Sequence, residues 1–363
     1  MDNKIPEVMR AMVLTGPGEW ELQNIPVPVP GLGEVLCKIG GVAICGSDPE
    51  IVDGGLSGIW PPRYPFIAGH EWSGRIVAKG EGVTGFEVGD RVAGEAHKGC
   101  GHCRNCLEGR YNLCLNYGRP ETGHRHYGFV TPGAYAQYCV YDQKSITHMP
   151  ENITYAEAAM CDTAGVSLHG LELAGVRAGG AIAVIGPGPI GVMAAKIAKA
   201  MGAGRVIMVG RAPRLQTAER LGCEETVDFS QCDPVEAVRS MTGSLGVDLA
   251  VECSGAPGTL VQCIRMCSKG GKVVMLGVAK EGVTEAIPLK YTTHNEISVL
   301  GSRANPNTSA KIMQLIAKGN LQVKDMVTHT FDLEHVGEAF DTFIHRRGGA
   351  MKVVIYPNGG EQA

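Results

Sequence analysis

A chain of 363 residues is too long for one ordinary hydrophobic core and is typical of two domains. Hydrophobic residues make up 44% of the chain and charged residues 19%, which excludes an intrinsically disordered protein. The net charge of −4 gives no indication of nucleic acid or an anionic membrane as a partner, and no apolar run approaches the ~18 residues of a membrane span.

The first residues contain no apolar core of a signal peptide, so we expect no export and a cytoplasmic location. Thirteen cysteines are many for such a location, and their odd number argues against complete pairing in disulfides. In a reducing compartment they are expected to be thiols or metal ligands.

Short apolar stretches separated by turns predict strands in the first hundred residues. The clearest are Ala11–Leu14, Glu34–Ile39, Gly74–Lys79 and Gly89–Ala93. The proline-rich stretch Ile25–Pro30 cannot donate ladder hydrogen bonds, so it predicts an extended connector. Frequent glycines suit the tight corners of a β-barrel.

Two short segments of this half carry metal-ligand chemistry. Cys45 lies in the run Ile44–Asp48, and His70 is followed directly by Glu71. Together they offer a thiolate, an imidazole and the carboxylates of Asp48 and Glu71, which are ligands that zinc prefers.

A cluster of cysteines with the spacing C-x2-C-x2-C-x7-C follows. Its members are Cys100, Cys103, Cys106 and Cys114. Four thiolates this close predict a closed, structural zinc site, whereas a redox pair, disulfides and an iron–sulfur cluster are the alternatives. The four cysteines already complete a tetrahedral ligand set, so His97 and His102 are not needed as ligands and we expect them at the surface.

The next segment, residues 115–135, is rich in Gly, Tyr and His and predicts a loop or insertion. Its His124 and His126 are expected to be solvated or to form a subunit contact. The aromatic residues Trp60, Phe66 and Trp72 are candidates for the core or for the wall of a pocket.

From about Tyr155 onward, helical and strand patterns alternate, which is typical of a doubly wound parallel sheet. The predicted strands are Ala181–Ile185, Arg205–Val209, Val247–Glu252 and Lys272–Gly277, and the predicted helices include Gly165–Ala174 and Val192–Met201. The tail contains a helix over Ser309–Ala317, an amphipathic stretch over Glu334–Phe343 and a last strand over Lys352–Tyr356.

A glycine-rich turn after the first of these strands predicts a dinucleotide site. The motif is Gly186-Pro187-Gly188-Pro189-Ile190-Gly191, and a helix follows it. In such a motif the first glycine permits the turn, the second lets the backbone approach a pyrophosphate, and the third lets helix and strand pack closely.

The end of the second strand indicates which cofactor binds. An acidic residue there would bind the adenosine ribose and repel a 2′-phosphate, but this chain has Gly210 followed by Arg211, with Arg214 nearby. This favours NADP over NAD, unless both arginines are merely solvated.

These motifs, in this order, resemble those of the zinc-dependent medium-chain dehydrogenases/reductases, and the resemblance covers nearly the whole chain. The segments that carry it are Cys45–Asp48, Gly69–Gly74, Gly89–Val92, the four-cysteine segment and Gly186–Gly191. The branch of sorbitol, threonine, butanediol and secondary-alcohol dehydrogenases is most similar. The resemblance implies an α/β chain with a GroES-like β-barrel catalytic domain at 1–164, a Rossmann domain at 165–300 and a segment at 301–363 that returns to the catalytic domain.

The resemblance also implies roles for single residues. Cys45 and His70 become ligands of a catalytic zinc, Glu71 a carboxylate that ligates or hydrogen-bonds, and Asp162 the third protein ligand. Ser47 starts the proton relay, but Glu50 stands where the family usually has histidine. Glu50 either relays the proton or is a solvated surface residue.

The resemblance implies an oxidoreductase that interconverts a secondary alcohol or polyol and its ketone, with two zinc ions per chain and NADP or NAD, as a homodimer or homotetramer. Ala304, beside Arg303, stands where polyol dehydrogenases usually carry an arginine. A threonine-type amino or hydroxy acid dehydrogenase is therefore an alternative. A zinc-independent reductase and a non-catalytic nucleotide-binding zinc protein are rivals that the zinc ligands disfavour.

Overall fold

The computed structural model describes residues 5–360, and its chain divides into two compact units. The first unit takes the residues up to Asp162, the segment Ser309–Gly319 and the residues from Val327 onward. The second unit takes Thr163–Thr308 and Asn320–Met326. Residues 1–4, part of the stretch behind the prediction of no export, and residues 361–363 lie outside the described range.

The first unit is built mainly from strands. In chain order its elements are β1 (Val8–Gly16), β2 (Glu19–Pro26), β3 (Glu34–Ala43), α1 (Asp48–Val52), β4 (Glu71–Lys79), β5 (Arg91–Gly94), β6 (His97–Lys98), α2 (Arg104–Leu107), β7 (Arg125–His126), β8 (Tyr138–Asp142), β9 (Ile146–His148) and α3 (Tyr155–Ala159). The helix α4 (Cys161–Ala174) begins in this unit and continues in the second.

The elements of the second unit alternate between strand and helix. They are β10 (Ala181–Ile185), α5 (Pro189–Ala200), β11 (Arg205–Gly210), α6 (Arg214–Arg220), β12 (Glu225–Asp228), α7 (Pro234–Met241), β13 (Val247–Glu252), α8 (Thr259–Met266), β14 (Cys267–Met275), α9 (Leu289–His294) and β15 (Ser298–Gly301).

The tail returns to the first unit. Its elements are α10 (Ser309–Ala317), β16 (Val327–Asp332), α11 (Val336–His345) and β17 (Lys352–Tyr356). Short 3-10 turns lie at Tyr111–Leu113, Pro120–Thr122, Gln143–Ser145, Lys324–Met326, Leu333–His335 and Arg347–Gly349.

In the first unit, the main sheet has the order β16-β17-β3-β4-β5-β9, and β8 also pairs with β3. The last strand of the chain therefore pairs antiparallel with β3, at Val354 opposite Ala43. The core of this unit includes Trp72, Tyr135 and Val353, all almost completely buried. Trp72, one of the pocket candidates, is thus a core residue.

In the second unit, the parallel sheet has the order β12-β11-β10-β13-β14-β15. Counted within the unit, this is the order 3-2-1-4-5-6 of the doubly wound dinucleotide-binding fold. β10 lies where the strand order reverses, and ligands of such sheets bind at the carboxyl ends beside that point.

Most predicted strands and helices lie within observed ones, and the differences are local. Residues Glu19–Pro26 form β2, a strand that the sequence pattern did not predict, and it pairs with β1. The second unit extends to Thr308 rather than 300, and it also includes Asn320–Met326, which the family resemblance placed in the returning tail. No helix in the described range is long and apolar enough to cross a membrane.

Candidate active site

The predicted ligands Cys45, His70 and Glu71 come together at one end of the β3–β4 pair. Ala43, the last residue of β3, lies opposite Glu71, the first residue of β4, so the turn after β3 reaches the side chains that begin β4. The ligand atoms of the three residues lie within 4.8 Å of one another, and His70 and Glu71 are buried. This set of sulfur, nitrogen and oxygen donors fits zinc.

The buried carboxylate of Asp48 organises this group. One of its oxygens accepts hydrogen bonds from the backbone N–H of Cys45, at 2.8 Å, and from the hydroxyl of Tyr135, at 2.6 Å. The other lies 3.5 Å from Nδ1 of His70. A carboxylate beside one imidazole nitrogen orients the ring and leaves the second nitrogen for a metal.

The electrostatics of this group favour a cation. Burial lowers the pKa of His70, but the charges of Cys45 and Asp48 outweigh burial and hold this pKa well above its usual value. Negative groups that stabilise a positive imidazole would equally stabilise a bound metal cation.

A buried lysine from the end of the chain completes the surroundings of Glu71. Lys352, the first residue of β17, forms an ion pair with Glu71 and donates a hydrogen bond to the backbone oxygen of Ile44 at 3.3 Å. Burial lowers the pKa of Lys352, but the charges of Glu71 and Cys45 outweigh it, and the net shift is upward. Lys352 therefore stays charged and fixes one oxygen of Glu71.

The four predicted structural cysteines also come together. The sulfurs of Cys100, Cys103, Cys106 and Cys114 lie within 4.8 Å of one another. Cys100 and Cys106 are 3.9 Å apart and Cys103 and Cys114 4.0 Å, close to the about 3.8 Å edge of a tetrahedron with 2.3 Å zinc–sulfur bonds. These distances are far too long for disulfides.

Nitrogen donors surround the sulfurs of this site. The side-chain amide of Asn116 donates to Cys100 at 3.3 Å, and the backbone N–H groups of Cys100 and Asn116 donate to Cys114 at 3.4 Å. Burial raises the pKa of Cys100, but hydrogen bonds from His102 and Asn116 lower it to about 5. These hydrogen bonds therefore favour the thiolate of Cys100, the form that binds metal, whereas burial raises the pKa of Cys106 to about 12.

In the second unit, the glycine turn takes the form that a dinucleotide site requires. Gly186 follows β10 with φ of +106°, a conformation that favours glycine. A Cβ on Gly191 would lie 2.0 Å from the backbone oxygen of Gly186, so only glycine fits there. Pro189 begins α5, whose N–H groups and dipole favour an anion at this end.

The residues at the end of β11 carry no carboxylate. A Cβ on Gly210 would lie 2.4 Å from the ring of Pro187, so a larger residue would clash. Arg211 is exposed, 5.9 Å from the ring of Phe229, and Arg214 reaches within 3.2 Å of a Cβ position on Gly188. Arg214 thus lies beside the glycine turn.

Comparison with known proteins agrees with the type of domain assigned to each unit. The model of the alcohol dehydrogenase GroES-like domain matches residues 31–151, and that of the zinc-binding dehydrogenases matches residues 189–318. A sorbitol dehydrogenase of Bacillus subtilis is 34% identical over 99% of this chain and 100% of its own. The chain belongs to the zinc-binding alcohol dehydrogenase family.

Further members of this family are similar over most of their length. An L-threonine 3-dehydrogenase of Alteromonas mediterranea is 35% identical over 93% of this chain and 96% of its own. A zinc-binding dehydrogenase of Sinorhizobium meliloti, solved with NADP, has a TM-score of 0.88 at 31% identity and covers 97% of this chain and 100% of its own. The predicted family, fold class and type of enzyme, a zinc-type NAD(P)-dependent alcohol or polyol dehydrogenase, are confirmed.

Asp162, the third predicted zinc ligand, is not among the residues whose ligand atoms lie within 4.8 Å of one another. It is the last residue of the first unit before the boundary in α4, and it is buried. Its charge acts on Lys352, which pairs with Glu71, and on Glu95. Asp162 therefore lies in the same electrostatic environment, and its role as a ligand stays a prediction.

The two residues of the predicted proton relay lie in different environments. The hydroxyl oxygen of Ser47 is buried and has no hydrogen-bond partner within residues 5–360. Glu50 is exposed on the short helix α1. The roles of both residues in a relay stay predictions.

The prediction of surface histidines was wrong for three of four residues. His97, His124 and His126 are buried, and only His102 is exposed. The reason is the pairing of β6 with β7, which places His97 opposite His126. Within the segment 115–135, most residues from His124 onward are buried, whereas Leu115 near its start is 64% exposed.

Sequence analysis missed the roles of two functional residues. Asp48 lies in the run Ile44–Asp48 that was singled out, but its position at the start of α1 gave no sign that it orients His70. Lys352 is the first residue of the apolar strand β17, and a charged residue next to an apolar run was its only signal in the sequence. Both act through contacts that join distant parts of the sequence.

Proposed function

We propose that this protein oxidises a secondary alcohol or polyol to its ketone, and catalyses the reverse reaction, with NADP as the preferred cofactor. The observation that carries the proposal is the group of half-buried Cys45 and buried His70 and Glu71, whose ligand atoms lie within 4.8 Å of one another. Zinc bound there supplies a Lewis acid for the substrate oxygen, and the nicotinamide cofactor supplies the hydride acceptor.

The residues of the site have separate tasks in this proposal. Cys45, His70 and Asp162 hold the metal, and Asp48 orients the ring of His70. Glu71, fixed by Lys352, adds negative charge beside the metal. The hydroxyl of Ser47 would relay the proton that the substrate alcohol releases, taking it up while passing its own proton on toward water.

Removal of Cys45 tests the metal assignment. In Cys45→Ala we expect the zinc content to fall from about two ions per chain to about one, with loss of turnover and an unchanged circular dichroism spectrum. Cys232→Ala, which removes an exposed cysteine, is the matched control and should keep both ions. Full activity in Cys45→Ala would refute a catalytic zinc at this site.

The preference for NADP is supported by the absence of a carboxylate on Gly210 and by the position of Arg214 beside the glycine turn. We expect a higher kcat/KM with NADP than with NAD, and a loss of this preference in Arg214→Ala. A clear preference of the native enzyme for NAD would show that the arginines do not bind a 2′-phosphate.

An amino acid such as L-threonine is the second candidate substrate, since the threonine dehydrogenase relative is as similar as the sorbitol dehydrogenase. Parallel measurements of kcat/KM for L-threonine, sorbitol and 2,3-butanediol distinguish the candidates. A dominant rate with L-threonine would replace the polyol assignment.

We also propose a homo-oligomer, a homodimer or homotetramer, in the cytoplasm. β15 has β14 as its neighbour within the described chain and so forms an edge of its sheet, and Val278 and Leu289 are 93% and 70% exposed. An exposed strand edge and apolar side chains favour self-association. Light scattering should give at least twice the mass of one chain.

For the location, all thirteen cysteines are unpaired, as in a reducing compartment.

A further inference from the structure

A buried carboxylate lies at the carboxyl end of the central strand β13. Glu252, the last residue of β13, is 3% exposed. β13 pairs with β10, and the strand order of the sheet reverses between these two strands. Ligands of doubly wound sheets bind at the carboxyl ends beside such a point. Glu252 therefore lies at the edge of the sheet where the cofactor is expected.

The carboxylate of Glu252 binds the loop that follows it, residues 253–258, which we call the β13 loop. One of its oxygens accepts hydrogen bonds from the backbone N–H and the hydroxyl of Ser254, at 2.8 and 2.6 Å, and from the N–H of Gly255 at 3.0 Å. The hydroxyl of Thr259, the first residue of α8, lies 3.0 Å from the same oxygen. Because hydrogen bonds to a charged acceptor are stronger than those between neutral groups, Glu252 fixes the shape of this loop.

Close backbone contacts join the β13 loop to the end of β14. The backbone oxygen of Glu252 accepts hydrogen bonds from the N–H groups of Leu276 and Gly277, at 2.7 and 3.0 Å. A Cβ on Gly277 would lie 2.3 Å from the nitrogen of Gly255 and 2.5 Å from the second carboxylate oxygen of Glu252. A Cβ on Gly255 would lie 2.5 Å from the backbone oxygen of Val278. The β13 loop and residues 277–278 therefore pack tightly around Glu252.

The β13 loop also contacts the glycine turn. A Cβ on Gly186, the first glycine of the motif, would lie 3.1 Å from the Cβ of Ser254, and one on Gly191 would lie 3.5 Å from the Cβ of Cys253. Ser254 and residues 256–258 are exposed. A ligand that lies on the glycine turn can therefore reach the loop, although the carboxylate beneath it is buried.

The place of β13 in the sheet indicates which half of the cofactor the loop supports. Each half of a doubly wound sheet binds one mononucleotide. The half formed by β10, β11 and β12 contains Gly210, the residue that bears on the adenosine ribose. β13, β14 and β15 form the other half. Glu252 and the β13 loop therefore belong to the nicotinamide half.

We propose that Glu252 is a positioning residue for the nicotinamide half of the cofactor. Its carboxylate acts through the backbone, because it holds the β13 loop and residues 277–278 in the arrangement that binds this half. The inference rests on the proposed reaction with a nicotinamide cofactor, and it does not depend on the preference for NADP over NAD.

Glu252→Gln tests this role, because it keeps the size of the side chain but replaces one accepting oxygen by a donor nitrogen. That nitrogen would face the N–H of Gly255, which lies 3.2 Å from the second oxygen of Glu252. We expect KM for NADP to rise about tenfold, with kcat and KM for the alcohol close to those of the wild type.

Asp248→Asn is the matched control on the same strand. Asp248 lies near the other end of β13, where its carboxylate accepts the N–H of Ala181 at 2.8 Å and pairs with Arg177 at 3.1 Å. This variant should lower the thermal midpoint but keep the native KM for NADP, because the amino ends of the strands face away from the cofactor edge.

Binding measurements locate the effect on one half of the cofactor. In Glu252→Gln the Kd for NADPH, from fluorescence titration, should rise about tenfold. The inhibition constant of 2′,5′-ADP, which lacks the nicotinamide half, should stay close to that of the wild type. If the wild type prefers NAD, NADH and ADP replace these two probes.

A native Kd for NADPH in Glu252→Gln would overturn the inference. Equal weakening of both probes, or an equal rise in KM for the alcohol, would also overturn it, since either shows a general loss of structure. If Glu252→Gln does not fold, Thr259→Val removes one donor to the carboxylate and should raise KM for NADP by a smaller factor; a native KM there overturns the inference. Because the NADPH titration needs no alcohol, an enzyme that oxidises none of the proposed substrates overturns the proposed function alone.

Discussion

At the scale of single residues, the buried ion pair of Lys352 and Glu71 links the metal site to the stability of the first unit. Both side chains are 2% exposed, so neither charge is solvated by water. Such a pair adds little net stability when intact, but removing one partner leaves a buried charge uncompensated. The pair therefore ties the stability of the first unit to the position of a zinc-site carboxylate.

Replacing the lysine tests this coupling. Lys352→Met should lower the free energy of unfolding by about 3–5 kcal/mol, because the carboxylate of Glu71 loses its counter-ion. Urea unfolding followed by tryptophan fluorescence measures the loss. Lys79→Met breaks an exposed pair with Glu87 and should cost at most about 1 kcal/mol.

A double variant separates lost charge compensation from lost packing. Lys352→Met combined with Glu71→Gln leaves neither charge unpaired, so it should recover most of the stability lost in Lys352→Met. If the double variant is less stable than the single one, packing of the lysine chain is the larger contribution.

The buried carboxyl group of Glu95 predicts a pH dependence. Burial raises its pKa to about 8, although hydrogen bonds from Tyr111 and Ser309 act in the opposite direction. Between about pH 4.5 and 8 the unfolded chain releases this proton and the folded chain keeps it. Stability therefore falls as pH rises through this window, by up to about 1.4 kcal/mol per pH unit.

Glu95→Gln removes this titration. The thermal midpoint of this variant minus that of the wild type should increase from pH 5 to pH 8. The control Glu281→Gln, at an exposed position, should show no such increase. A constant difference across the range would mean that Glu95 is ionised in the folded protein.

At the scale of elements, we call residues 100–114, which carry the four cysteines, the four-cysteine lobe. It contains little regular structure besides the four-residue helix α2, and α2 has no buried residue. Its order must come largely from the metal, because a lobe without an apolar core cannot offset its own conformational entropy.

Cys103→Ser tests the contribution of this lobe. We expect zinc to fall from about two ions per chain to about one and the thermal midpoint to fall, since structural zinc contributes folding free energy. Cys223→Ser changes a buried cysteine outside both clusters and should keep both ions. A full zinc content in Cys103→Ser would mean that the cluster is not a zinc site.

Elements whose signal is local were predictable from the sequence. The cysteine spacing, the glycine turn and the helix after it need only a few neighbouring residues. The environments of His97 and His126 depend instead on the pairing of β6 with β7, which have two residues each and no recognisable pattern. Such short strands carry no periodicity, so the burial of both histidines could not be predicted.

At the scale of the whole molecule, the first unit is assembled from separate stretches of chain, and its core includes Phe340, Val353 and Ile355 from the tail. The family resemblance predicted this return. It did not predict Lys352 beside Glu71, because that contact depends on the register of β17 against β3.

A chain that ends at Met326 tests this organisation. It lacks β16 and β17, so the first unit should lose its zinc and its cooperative unfolding, because β3 loses a neighbour and Glu71 its counter-ion. The second unit, complete in this chain, should still bind NADPH, which fluorescence titration measures. Normal zinc content in the shortened chain would show that the tail is dispensable.

The late position of Lys352 has a consequence for biosynthesis. Glu71 and Lys352 are 281 residues apart, so a ribosome that adds about 5–20 residues per second makes the lysine roughly 14–56 s after the glutamate. Until then the nascent chain has Cys45, His70 and Glu71 but not the lysine that compensates the charge of Glu71. The catalytic unit therefore cannot form this contact until β17 has been made, whereas the cofactor unit, which ends at Met326, is made before it.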